Sequence, residues 1–334
     1  VIKFAWLQFR VQAAVAAGGL VVVAVVLAAT GPNLVHLYDT TVAPCAARHD
    51  CSAATTALTG TDGPVQVVSD FLVLLIPLLI GMFWGAPLVA REFETGTFRL
   101  AWTQGVTRTR WLAVKLGLGA AVGMAATGLL SLMVTWWSSP LDRVRGNLFD
   151  PLEFGVRGLV PIGYAAFAFA LGLCAGMVVR RTLPAMLAVL VGFFTVREVV
   201  TKWVRPNLIA PLHTKLAVTA GSLVGFDETP SGMTVVATTR GILPNSWVYS
   251  NQVVDRAGHA PTQAFLNRAC PFLTTGQANF QACTVHLAAR YHELVTYQPA
   301  SRYWPLQWGE LAIFVALAAA LAAGCVWWIR RPVS

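Results

Sequence analysis

Charge is what this sequence has least of. Asp, Glu, Lys and Arg make up 12% of its 334 residues, about half the ~25% of an ordinary soluble domain. Lysine is scarcest: Lys3, Lys115, Lys202 and Lys215 are the whole set, and none follows a glycine. A P-loop needs GxxxxGK[ST], because backbone amides must cradle phosphates that a Lys then reaches, so ATP hydrolysis by this chain is excluded. The HExxH arrangement of helical zinc hydrolases is missing too. His292 and Glu293 are followed by Leu294, Val295 and Thr296 with no second histidine, and His286 and His292 stand six apart, off any common helical face. No metal site and no catalytic residue is expected.

Hydrocarbon is abundant instead, with 56% apolar residues. A helix crosses a bilayer core of ~30 Å with ~20 apolar residues. Six stretches qualify: 13–30, 68–90, 111–137, 158–179, 183–204 and 306–329. The first is too long for the apolar core of a secretory leader and reads as a retained anchor. The expected fold is an all-α polytopic membrane protein of six transmembrane helices, with external loops at 31–67 and 138–157, a turn at 180–182, a large external region at 205–305 before the last span, and an internal tail at 330–334.

Cytoplasmic loops accumulate Lys and Arg. With the amino terminus inside, the inner segments hold Lys3 and Arg10; Arg91, Arg99, Arg108, Arg110 and Lys115; Arg180 and Arg181; Arg330 and Arg331, against only Glu92 and Glu94. The remaining residues carry equal numbers of basic and acidic groups, so the whole net charge of +9 falls on the inner side. There it faces membrane lipids, and a nucleic-acid partner loses its support. Trp111, Trp136, Trp137, Trp203, Trp304, Trp308, Trp327 and Trp328 fall near span ends, as interfacial tryptophans do. Cys45, Cys51, Cys270 and Cys283 all fall outside, in a compartment that permits disulfides. Four cysteines allow three connectivities, of which the local pairs Cys45–Cys51 and Cys270–Cys283 are favoured. Cys174 and Cys325, within spans, are expected as free thiols.

Residues 1–12 place Ile2, Ala5, Trp6 and Phe9 at helical spacing, which suits an interfacial helix or simply the start of the first span. The inner segment 91–110 is longer than a reversal needs and offers Phe93, Phe98, Leu100 and Trp102 for packing, as a docking element would. Small-residue pairs, Gly119 with Gly123 and Gly172 with Gly176, allow close helix contact. The stretch from Ala282 to Tyr297 is expected to be helical. Ionisable residues at depth are costly and mark function; Arg197 and Glu198 are taken as the pair that qualifies.

The run from Arg91 to Leu100, REFETGTFRL, followed by Gly105–Trp111 and Lys115, resembles the region after the second span of ABC-2-type transporter permeases. There a Glu, a Gly-Thr pair and a Ser/Thr-Arg cluster precede a Lys in the third span. Trp6–Gln12 and Tyr297–Pro305 look similar to an actinobacterial branch of multidrug and natural-product exporters. The resemblance implies a permease in a bacterial plasma membrane, both termini cytoplasmic. It would pair with a second permease copy, as a homodimer, and with two copies of a separate ABC ATPase. ATP and Mg would sit on that ATPase, with no cofactor in this chain. By similarity, Glu92, Glu94, Gly96, Thr97, Phe98 and Arg99 form the coupling helix, flanked by Arg108 and Arg110. The second and fifth spans would line the cargo path with Phe71, Leu75, Met82, Phe83, Met186, Phe193, Phe194, Arg197 and Glu198. Such a lining suits a hydrophobic or amphipathic drug or natural product. The same architecture would also serve export of a lipid, polysaccharide or peptide, and a membrane-anchored sensor or assembly factor is the rival from another class.

Overall fold

The structure, a computed structural model, describes residues 2–45, 52–96, 107–146, 148–219, 222–229, 232–237, 243–270 and 280–330. Along the chain these form α1 (Ile2–Leu37), α2 (Ser52–Leu79), α3 (Ala86–Thr95), α4 (Arg108–Arg145), α5 (Pro151–Val156), α6 (Val160–Val179) and α7 (Thr182–Val199). There follow β1 (Leu212–Ala217), β2 (Leu223–Thr229), β3 (Gly232–Ala237), β4 (Trp247–Val254), α8 (Gln263–Ala269), α9 (Phe280–Arg290), β5 (His292–Gln298) and α10 (Tyr303–Arg330). Two compact units divide the chain. One joins Val1–Arg145, Asp150–Leu208 and Trp304–Ser334; the other joins Gly146–Phe149 with Ile209–Tyr303.

Among the described residues six helical stretches, all within the first unit except for residues 300–303, are long and apolar enough to cross a membrane: Arg10–Cys45, Asp62–Thr95, Arg108–Arg145, Val160–Val179, Thr182–Asn207 and Ala300–Arg330. The chain is a multi-pass membrane protein. Its central helix is α6, whose small residues let neighbours approach closely. A Cβ on Gly172 would collide with the Gly81 carbonyl, and one on Gly176 with the Ala86 carbonyl. Gly119 and Gly123 of α4 likewise accept the Phe169 ring and Ile80. Both small-residue pairs of the sequence therefore lie in helix contacts. A π-helical segment, Ile80–Gly85, links α2 to α3 within this contact. Pro77, which has no N–H to donate, stands just before it. Two apolar cores hold the bundle. Leu34, Leu58, Val73, Leu130 and Trp137 join α1, α2 and α4, and Val89, Leu112, Phe169, Leu173 and Ile329 join α3, α4, α6 and α10.

The second unit corrects the all-α expectation. β5 lies between β1 and β4 in an antiparallel sheet of order β1-β5-β4, with Leu212 opposite Tyr297 and Val254 opposite His292. β2 and β3 form a separate antiparallel pair. Helix was expected through Tyr297, but α9 ends at Arg290 and His292–Gln298 is strand. Glu293, Val295 and Gln298 are buried there while Leu294 and Thr296 are partly open, close to the two-residue period of a strand. The apolar centre gathers Val218, Val253, Leu266, Leu287 and Tyr291, and Cys270 is bonded to Cys283 beside it, with Cα atoms 4.6 Å apart.

Three further expectations change. Residues 31–67, taken as a loop, are largely helical, since α1 runs to Leu37 and continues as π-helix and then α-helix to Cys45 while α2 starts at Ser52. α1 is continuous from Ile2, with no break at Gln12. Cys174 and Cys325 are bonded to each other rather than free, their Cα atoms 5.9 Å apart across α6 and α10. They are 151 residues apart in sequence, so only helix packing could bring them together. The partner expected for Cys45, Cys51, lies outside the described residues.

Candidate functional site

The segment that drew attention in the sequence begins on the last turns of α3. Gly96 ends this helix in the left-handed region at φ 71°, a conformation that costs glycine little. The two acids just before it are engaged within the chain. Glu92 forms an ion pair with Lys115 of α4, whose ammonium also lies 3.4 Å from the Leu88 carbonyl and 4.5 Å from the Trp111 ring centre. Burial of the lysine, 4% exposed, makes such a partner necessary. Glu94 accepts hydrogen bonds from the Thr182 backbone N–H (2.7 Å) and hydroxyl (2.9 Å). Arg181 precedes α7 without a capping side chain, so Glu94 caps α7 from another helix, a favourable place for an anion. Arg180, at φ 56°, turns the chain out of α6 and stacks 5.7 Å from the Phe93 ring.

One helix end thus ties three spans together. Beside it is a cavity of about 750 Å³, lined among others by Gln12, Phe83, Leu88, Glu92, Thr182 and Met186. Gln12 Oε1 and Glu92 Oε2 are buried without a hydrogen-bond partner. Arg108 and Arg110 lie in the first turn of α4, where the Thr107 hydroxyl accepts from the Arg110 N–H at 3.3 Å. Thr97, Phe98 and Arg99 lie outside the described residues.

The suggested path residues do not form one surface. Phe83 and half-buried Met186 share the cavity. Phe71, Leu75 and Phe83 stand exposed, with Leu79 completing a four-residue spacing, and Met82 is half-buried. Phe193 is fully buried, edge-on to Tyr164 at 5.9 Å and to Phe194 at 5.8 Å. Arg197 is buried, 5.9 Å from the Tyr164 ring, and bonds to Glu198, which also holds Lys202.

Among the described residues, buried ionisable groups extend beyond Arg197, whose partner Glu198 is only partly buried. Arg205 and Glu310 form a fully buried ion pair at 2.6 Å, and the Tyr164 hydroxyl donates to Glu310 at 2.9 Å. Arg157 bridges Asp70 and Asp142, while Ser138 and Gln66 donate to Asp142. Burial works against the Arg157 charge, yet its two carboxylate partners hold its pKa above the usual arginine range. Burial pushes the Glu153 carboxyl up, against a hydrogen bond from Arg145. The signal that could have found Asp70 and Glu310 was present: each is a lone acid in an apolar run. Among the described residues no group of three or more His, Cys, Asp or Glu could hold a metal.

A family model described as ABC-2 membrane transporter related matches residues 17–205, more than half of the 334-residue chain. No curated protein and no solved structure matches.

Proposed function

Because the chain belongs to the ABC-2 membrane transporter related family, which implies an ABC ATPase as partner, we propose that it is the permease subunit of an ATP-driven exporter for a hydrophobic or amphipathic drug or natural product. The observation that carries this is the Glu92–Lys115 and Glu94–Thr182 pair of contacts at the end of α3. A push on the segment after Gly96 would reach α4 and α7 through these contacts. The basic end bearing Arg91, Arg108, Arg110, Arg180 and Arg181 is then cytoplasmic, and the ATPase docks on residues 92–99 there. ATP and Mg stay on that partner, two copies of which would drive two permease copies. The 750 Å³ cavity, with its mixed apolar and acceptor lining, is the inward-facing entry. A pump needs cargo to bind differently in its two access states, and closing this cavity would provide that difference.

Two experiments test the reading. Gentle purification from the native membrane should bring down a P-loop ATPase in near-stoichiometric amount; recovery of the chain without one in several mild detergents would overturn it. Glu94→Arg should leave the complex assembled while lowering cargo-stimulated ATP turnover by about tenfold or more, the scale of a typical coupling free energy. Unchanged export by this variant would remove the coupling role.

A further inference from the structure

A second recess lies between α6, α7 and α10. It measures about 620 Å³ and is apolar, with Phe167, Leu171, Gly192, Leu317, Gly324 and Trp328 among its walls. Its depth along the bundle is informative. On α6 it runs from Phe167 to Val178 and on α10 from Leu317 to Trp328. At 1.5 Å per residue each is about 16 Å, close to one leaflet of a hydrocarbon core ~30 Å thick. Gly324 faces open space in this wall, since a Cβ there would meet nothing within 4 Å.

On the three helices that wall the recess, the charge at one end is wholly basic, whereas at the other end Arg197, Glu198 and Lys202 are paired with one another. The bonded Cys174 and Cys325 set α6 and α10 level with each other. From that level Arg180 lies about 9 Å further along and Arg330 about 7.5 Å, so both reach the same membrane surface, with Arg181 adjacent. All three arginines are exposed. Trp327 and Trp328, each about half exposed, sit just inside them, at the depth indole rings favour. Glu94, held by Thr182 beside this turn, also interacts with Arg181 and offsets one positive charge, so three arginines leave the rim net cationic.

We propose that this recess binds an anionic phospholipid, one acyl chain lying along Gly192 and Gly324 and the phosphate resting on Arg180, Arg181 and Arg330. An acyl chain of one leaflet matches the depth of the recess, and an anionic headgroup matches the rim whose charges are all basic on these helices. The inference needs only that these helices cross a membrane, and it stands apart from the export reading.

The purified full-length protein, with any subunit that accompanies it, is exchanged into detergent carrying equal amounts of phosphatidylglycerol and phosphatidylcholine. Bound lipid is then counted by native mass spectrometry. The wild type should keep phosphatidylglycerol over phosphatidylcholine by at least about tenfold, a preference of the size several surface cations give. Combined Arg180→Ala, Arg181→Ala and Arg330→Ala should abolish the preference, and the matching Lys substitutions should retain it. Gly324→Leu, whose Cβ would meet nothing within 4 Å, puts a side chain into the recess and should reduce binding of both lipids. A photoactivatable phosphatidylglycerol should label the α10 peptide containing Gly324. Equal retention of the two lipids by the wild type overturns the proposal. So does phosphatidylglycerol retention that none of these variants changes, or a recess found cross-linked to another protein chain.

Discussion

Arg205 and Glu310 show what a single buried pair does here. Both side chains are fully out of contact with solvent, and removing one partner leaves the other charge buried and unpaired, a loss of about 3–5 kcal/mol. Glu310→Leu should therefore lower the unfolding midpoint in detergent, followed by tryptophan fluorescence, whereas combining it with Arg205→Met should recover most of the loss. Purely additive effects would show that the two groups do not depend on each other. Lys115 behaves in the same way toward Glu92, and Arg157 toward Asp70 and Asp142. The lone acids were visible in the sequence. Their partners were not, because Asp70 and Arg157 stand 87 residues apart and Glu310 and Arg205 105 apart. Coulomb attraction acts through space, and only packing decides which charges become neighbours.

Backbone contact governs the elements. α6 is in contact with α3 and with the π-helical segment before it through Gly172 and Gly176, so bulk at these sites must part the helices. Gly172→Leu should yield aggregated or poorly recovered protein on size-exclusion chromatography. Gly117→Leu is the control, since a Cβ there meets nothing within 4 Å, and it should elute as the wild type does. Equal recovery of the two variants would mean that the close approach does not hold the bundle. The glycine spacing was legible from sequence, but in a chain with 28 glycines spacing alone could not tell a contact from chance. β5 taught the converse. A run such as His292–Gln298 carries the two-residue period of a strand, yet the helical reading extended across it from Cys283, because one strand without its neighbours carries little signal. β1 and β4 on either side decide it.

Across the whole molecule, the family match ends at Arg205 and the second unit takes up from Ile209. The match thus falls on the helical unit apart from Gly146–Phe149, and it reaches neither α10 nor Ile209–Tyr303, where the sheet unit carries its own disulfide. Alkylation of unreduced protein followed by peptide mass spectrometry should leave Cys270, Cys283, Cys174 and Cys325 unmodified, and reduction under denaturing conditions should expose all four. Modification of Cys174 or Cys325 before reduction would show that α6 and α10 are not bridged.

Hydropathy and charge bias are local sums, so the sequence by itself determined that this protein crosses a membrane, where its spans fall to within a few turns, and which helix ends are basic. The GluPheGluThrGlyThr segment pointed to the permease family in the same local way. Tertiary structure alone decided that Glu92 and Glu94 turn inward to α4 and α7, that the region before the last span folds as sheet, and that Cys174 meets Cys325. Each of these depends on which distant segments pack together. That choice is made by the fit of small residues between helices and by strand pairing in the sheet, and no window along the chain contains it.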